Sequence, residues 1–137
     1  MNQSDNSSNI LVMEAFEHVH PDHCDKYEAA ALFIDNLVKE SEPGMLVHAL
    51  TKMNKSPELV TYRWLEVFSD SNALRTHLDN PAVIEHVAKL NSGILAAPTE
   101  LVLYTSWSDE EKNDWRRKLN STKLTFAPVI AGFYLKR

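Results

Sequence analysis

The run Glu58–His77 (ELVTYRWLEVFSDSNALRTH) constrains the fold more than any other stretch of this chain. It starts as a strand and ends as a helix. Leu59, Val60, Tyr62, Trp64, Leu65, Val67 and Phe68 supply the β-branched, aromatic and aliphatic bulk that suits a pleated, largely covered surface. Successive strand side chains point to opposite faces, so Tyr62, Trp64, Glu66 and Phe68 share one face and Arg63, Leu65 and Val67 the other. Both faces carry apolar groups, which predicts packing on both sides. Glu66 is the odd member, a carboxylate in an aromatic row, and is costly to bury without a partner. Ser69-Asp70-Ser71 breaks the strand and offers a helix N-cap. Ala73, Leu74, His77 and Leu78 then recur at helical spacing. His77 therefore lies on the apolar side of a short helix that begins where the Glu66 face ends. A histidine and a carboxylate near one aromatic surface suit a small-molecule site. Taken alone, each is more often a core group satisfied by a backbone carbonyl, an arginine or a tyrosine.

The other elements fall into place around that stretch. Ile10–His20 alternates as a first strand, and Pro21 ends it because proline cannot donate to a ladder. Asp22 is the expected N-cap of a helix over about His23–Glu40, with Asp25 in the box position. Tyr27, Ala30, Ala31, Ile34, Leu37 and Val38 form its apolar stripe. Pro43 and Gly44 stop it. Met45–Lys52 reads as a second strand, with Met45, Val47, Ala49 and Thr51 opposite Leu46, His48, Leu50 and Lys52. Asn54–Glu58 closes a hairpin. Asn80 as N-cap and Pro81 at the first helical position restart a helix. Its stripe is Val83, Val87 and Leu90, with His86 beside it. Thr99–Trp107 is a fourth strand. Strand, helix, strand, strand, helix, strand, with the helices on one side of an antiparallel sheet, predicts an α+β, ferredoxin-like βαββαβ sandwich over residues 10–107. Residues 108–137 form an extension. Ser108 and Glu111 make a capping box for a short helix that turns Trp115 and Leu119 inward. Lys123–Lys136 is one more strand, which must flank its own sheet or cross to a second subunit.

Composition narrows the function classes. At 137 residues the chain is one domain, long enough to bury about two-thirds of its unfolded surface. A net charge of −5 argues against a general affinity for nucleic acid or anionic membrane. The single cysteine, Cys24, excludes an internal disulfide and fits a reducing compartment. No apolar run approaches the ~18–20 residues of a membrane helix. Residues 1–9 are polar, without a basic start or an apolar core, and read as a disordered tail rather than a signal peptide. The cytoplasm is the expected location. Glycines at 44, 93 and 132 are too scattered to cradle phosphate. His18, His20, His23 and Cys24 are all metal-ligand types, but their spacing follows no zinc pattern, so no metal is assigned.

With these pieces in order, the sequence resembles the antibiotic biosynthesis monooxygenase (ABM) family, small ferredoxin-like proteins that pair as dimeric α/β barrels. The likeness rests on Glu42-Pro43-Gly44 before the second strand and Ser56-Pro57 in the hairpin. It continues through Glu66-Val67-Phe68 with Asp70, Ala73-Leu74 with His77, and Asn80-Pro81. It spans about residues 10–107. The resemblance implies a homodimer joined through the sheet faces, with a cavity between each sheet and its helices. Several members oxidise quinols or polyphenols with molecular oxygen and no cofactor. Such a quinol monooxygenase-like site must deprotonate a phenol so that the anion can pass an electron to oxygen. It needs a base near neutral pH and an apolar cavity. On that footing His77 and Glu66 are the candidate catalytic residues, with His48 a second candidate base. Phe16, His48, Tyr62, Trp64, Phe68 and His86 are candidates for contacting a small aromatic substrate. Two alternatives stand beside this: a non-catalytic ligand-binding or assembly module of the same fold, and a haem-binding or haem-degrading protein. The haem pattern wants an Asn in the first strand, a Trp after the third-strand Glu and an axial His in the second helix. Phe16, Phe68 and Val87 stand near those places, and His86 is one residue off, about 100° around the helix.

Overall fold

Alternating burial builds the centre of the sheet. In the computed structural model, which describes residues 10–121 and 123–132, β1 (Leu11–Val19) and β3 (Val60–Phe68) each bury every second side chain along their length. They pair antiparallel from Leu11 opposite Phe68 to Val19 opposite Val60. β2 (Met45–Lys55) lies outside β3 and β4 (Glu100–Tyr104) lies outside β1, both antiparallel. The helices are α1 (Cys24–Ser41), α2 (Ser71–Asp79), α3 (Pro81–Leu90) and α4 (Asp109–Leu119). A fifth strand, β5 (Lys123–Ala127), gives the order β2-β3-β1-β4-β5. This is the α+β ferredoxin-like arrangement with one strand added. The expected tail over residues 1–9 and the end of the expected last strand, 133–136, lie outside the described residues.

The C-terminal extension adds a strand to the sheet of its own chain. β5 runs parallel to β4, from Glu100 opposite Lys123 to Tyr104 opposite Ala127. Parallel neighbours need a crossover, and α4 supplies it. The strand therefore flanks its own sheet, which becomes mixed rather than wholly antiparallel. It stops at Ala127 because Pro128 follows. Trp115 of α4 is buried among Leu11, Met13, Phe68, Leu74 and Leu103, so the extension completes the main core.

Within the chain the helices cover one sheet face only, whereas the sequence predicts packing on both. The other face carries half-buried Val12, Phe16, Leu65, Val67 and Val102. Arg63 and Tyr104 both donate to Glu14 across it, and His18 bonds Thr61 and Glu100.

Three local expectations need correction. Asp22 does not cap α1. A single 3₁₀ turn over Pro21–His23 intervenes, and the helix starts at Cys24 with no side-chain cap. Met45 and His48 do not oppose each other. The β2–β3 ladder slips between Met45 and Val47, and the extra residue turns Met45, His48 and Leu50 all towards the helices. On α3 the inward side chains are Val83, His86 and Leu90, while Val87 is 46% exposed. Among the described residues no helix is long and apolar enough to cross a membrane.

Candidate functional site

A cavity of about 490 Å³ lies between the sheet and the helices. Met13, Ala15, Ile34, Trp64, Val83 and Leu90 give it apolar walls, and Leu119, Asn120 and Ser121 of the extension form part of its rim. Glu17, His48, Glu66, His77 and His86 also line it.

His77 is placed by a chain of local devices. Asp70 caps α2, its Oδ1 accepting from the Ala73 N–H at 2.8 Å. One helical face then buries Leu74 and His77. Glu42 arrives from the turn before β2. Gly44 permits this close approach, because a Cβ there would sit 2.7 Å from the Ala73 Cβ. His77 Nδ1 lies 3.0 and 3.1 Å from the two Glu42 oxygens, and Nε2 lies 3.1 Å from Glu66 Oε1. The second contact is an ion pair by distance, not an aligned hydrogen bond, and Glu66 Oε1 has no hydrogen-bond partner. Asn80 Nδ2 also donates to Glu42 at 2.8 Å, while its Oδ1 caps α3.

Charge follows from these partners. Burial alone works against a charged His77, but Glu42 and Glu66 outweigh it and push the imidazole up to about 10. Burial likewise opposes ionisation of Glu42, yet His77 and Asn80 hold its carboxyl below the ordinary value. His77 is therefore an imidazolium at neutral pH, with both nitrogens directed at carboxylates. His86 has no such partner. Burial, reinforced by Lys89, His48 and His77, pulls it down to about 4, and it is neutral.

The remaining expected residues divide between two places. His48 Nδ1 bonds Asp35 at 2.8 Å, and its ring stacks on Trp64 with centroids 4.2 Å apart. His48 and Trp64 also border a second hollow of about 410 Å³, and Tyr62 lines that one. Tyr62 donates to Glu28 at 2.5 Å, and Lys52 pairs with the same carboxylate at 2.9 Å. Phe68 is fully buried in the core and meets the His77 ring with centroids 5.7 Å apart. Phe16 lies on the other face of the sheet, opposite Arg63, away from the cavity. The structure thus gathers His48, Trp64, Glu66, His77 and His86 around one hollow and leaves Phe16, Tyr62 and Phe68 outside its lining.

Glu17, Glu42 and Asp35 were not among the sequence candidates. Glu17 is buried at the end of the inward face of β1 and accepts a 2.6 Å hydrogen bond from Tyr27. Burial dominates its environment; Tyr27 offsets part of this and Glu66 adds to it, so the carboxyl is pushed up to about 7. Tyr27 is itself pushed far up, by burial and by Glu17, and stays protonated. A carboxylate after Leu11, Met13 and Ala15 on one strand face is the same oddity that singles out Glu66, and it is the sequence signal for Glu17. No comparable signal marks Glu42 or Asp35, which depend on a turn and a bulge.

Among the described residues no group of three or more His, Cys, Asp or Glu side chains is arranged to hold a metal ion. His20 and His23 instead meet edge-on with centroids 5.6 Å apart, and the Cys24 thiol points to the His20 carbonyl.

No family model matches the sequence, and no curated protein matches it. Solved structures do. A "putative antibiotic biosynthesis monooxygenase" from Caulobacter crescentus is 21% identical with a TM-score of 0.65, covering 75% of this chain and 94% of that one. A conserved protein from Methanosarcina mazei is 20% identical, TM-score 0.62, covering 74% and 97%. MupZ from Pseudomonas fluorescens is 23% identical, TM-score 0.66, covering 93% of this chain and 94% of its own, so that likeness extends into the C-terminal helix and strand. The chain has the fold of the antibiotic biosynthesis monooxygenases.

Proposed function

We propose that this protein is a cofactor-independent monooxygenase that oxidises a quinol or related phenol with molecular oxygen in the helix-side cavity. One observation carries the reading: an apolar hollow of about 490 Å³ into which a small set of buried ionisable groups converges. The ABM fold of the chain supports it. The reaction balances without a further reductant. The phenol loses its proton, and the phenolate passes one electron to oxygen. The radical pair joins at a hydrogen-bearing ring carbon ortho or para to the hydroxyl, and loss of water leaves the quinone. One oxygen atom enters the product and the other leaves as water.

The roles follow from charge. His77, held by Glu42, which Asn80 in turn holds, fixes Glu66, which is positioned to receive a substrate hydroxyl. Trp64 with His48 forms the flat wall against which a ring stacks. His86, neutral and half-buried, faces the same space from α3. The open sheet face, with Val12, Phe16, Leu65 and Val67, is the surface through which we expect a homodimer.

Oxygen uptake with a panel of hydroquinones tests the reading. Turnover is expected in the wild type and its loss in His77→Ala. No uptake across the panel removes the oxygenase assignment. Saturable binding of the same phenols without uptake would leave a ligand-binding module of this fold.

A further inference from the structure

We propose that Glu17 is the group that takes the proton from the bound phenol, with Tyr27 as its positioning residue. This rests on the reading of the cavity as a phenol-oxidising site.

The argument begins with elimination among the groups that line the hollow. Glu42 and Glu66 occupy both nitrogens of His77, which is already protonated. Glu66 in turn is paired with that imidazolium. His86 is neutral but too weak a base, because burial and nearby cations disfavour its charged form. His48 is engaged through Nδ1 with Asp35, and its ring lies flat on Trp64. Glu17 differs from all four. Glu17 lines the cavity from β1, and among the described residues no lysine, arginine or histidine pairs with its carboxyl. Its hydrogen-bond donor is the Tyr27 hydroxyl from α1, a neutral group that cannot cancel a charge.

Other groups bearing on Glu17 come from every packed element. Tyr62, Trp64 and Glu66 lie on β3, where Tyr62 is its cross-strand partner; His48 lies on β2, His77 on α2 and His86 on α3. Of these, Glu66 raises the proton affinity of Glu17 and Trp64 lowers it. The outcome is a carboxyl that titrates near neutrality, where a general base works best. In the cycle, the Glu17 carboxylate accepts the phenolic proton and becomes the acid. It then returns the proton to the peroxide formed on the ring. That transfer regenerates the carboxylate, and elimination of water from the hydroperoxide with its ring hydrogen leaves the quinone, so phenol plus oxygen gives quinone plus water with no net change at Glu17.

The test separates the base from the oxygenase reading. Under nitrogen, 4-nitrophenol is bound at a pH where both the free phenol and Glu17 are ionised, and proton uptake is measured calorimetrically in two buffers. The wild type should take up about one proton, because two anions held close together in one hollow share it. Glu17→Gln should bind with none. In air, wild-type kcat/KM should rise with pH through about 7. Glu17→Gln should lower it about 100-fold or more. Glu17→Asp should keep a rising limb. Tyr27→Phe should move the limb to higher pH while leaving plateau kcat within a few-fold, which a merely structural role would not do. Circular dichroism checks the fold, and Glu17→Asp answers the question if the glutamine variant does not fold. Equal proton uptake in wild type and Glu17→Gln overturns the proposal, as does an unmoved limb in Tyr27→Phe. Proton uptake that disappears in Glu17→Gln without any oxygen consumption keeps Glu17 as the proton acceptor and removes the oxygenase reading. No uptake in the wild type overturns the proposal even if oxygen is consumed.

Discussion

Glu66 and Glu17 are the same residue type on the same face of neighbouring strands, both lining one cavity, at 4% and 7% exposure. Their fates differ because their partners differ. Glu66 has an imidazolium 3.1 Å away, itself held by Glu42. Glu17 has a neutral hydroxyl at 2.6 Å. A full positive charge can offset the cost of taking a carboxylate out of water, whereas a hydroxyl offsets only part of it. The cavity therefore has one end where charges are fixed in a cluster and another where a proton can come and go. Fold and burial are shared by both ends, so partner choice alone separates the two carboxyls.

The largest expected effect breaks the charged end. His77→Ala leaves Glu42 and Glu66 buried without their cation and should cost about 3–5 kcal/mol in urea denaturation. Adding Glu66→Gln should recover part of that loss by removing one unpaired charge. The wild-type dependence on pH has a definite sign. His77 is raised above its unfolded value of 6.5, so its contribution is complete below that pH and is lost as pH rises through about 10. The gap between wild type and His77→Ala should narrow over that window.

The next effect has the opposite sign. Folding raises Glu17 from 4.5 to about 7, so the folded state favours the protonated carboxyl. Wild-type stability should fall as pH climbs from 4.5 through 7, by on the order of 3 kcal/mol in total. Glu17→Gln keeps the shape and cannot ionise. It should be more stable than the wild type at pH 8, with the gap closing below pH 5. Destabilisation by Glu17→Gln at alkaline pH would mean that Glu17 has a counter-cation after all, and the contrast with Glu66 would collapse.

Between these lies the hydroxyl that distinguishes the two ends. Tyr27→Phe keeps the ring, which packs against Tyr62 with centroids 4.3 Å apart, and removes only the donor. At pH 8, where Glu17 is ionised, the loss should be about 1.5–3 kcal/mol, the range for a hydrogen bond to a charged group. At pH 5 it should fall to roughly 1 kcal/mol, because the bond is then between neutral groups.

The sequence reveals the Glu66 end better than the Glu17 end, and the reason is context. Tyr62, Trp64 and Phe68 alternate so regularly that the carboxylate among them stands out, and Asp70 marks where the helix carrying His77 must start. The βαββαβ order is legible for the same reason: periods of two and about three and a half residues are written into β1, β3 and α1. What period cannot give is a departure from it. The bulge after Met45 turns His48 inward, and no residue there announces the extra position. Glu42 looks like one more polar residue at a helix stop, because its partner His77 is distant in sequence. Phe16, an aromatic on a strand, suits a cavity wall by residue type alone; alternation from Leu11 puts it on the open face instead.

The smallest expected effect tests a third kind of pairing. His48 bonds Asp35 at 2.8 Å, but the Asp35 side chain is 41% exposed. Solvent screens such a pair, so Asp35→Ala should cost no more than about 1 kcal/mol. What it should change is geometry. The Asp35 bond fixes the His48 ring over Trp64, and that stack is the wall shared by the two hollows. Freed of Asp35, the imidazole can rotate off the indole. The near-ultraviolet circular dichroism of Trp64 should then weaken although stability hardly moves. A cost above about 2 kcal/mol would instead place Asp35 in the same class as the buried partners of His77. The boundary between the hollows would then be a structural pillar rather than a movable wall.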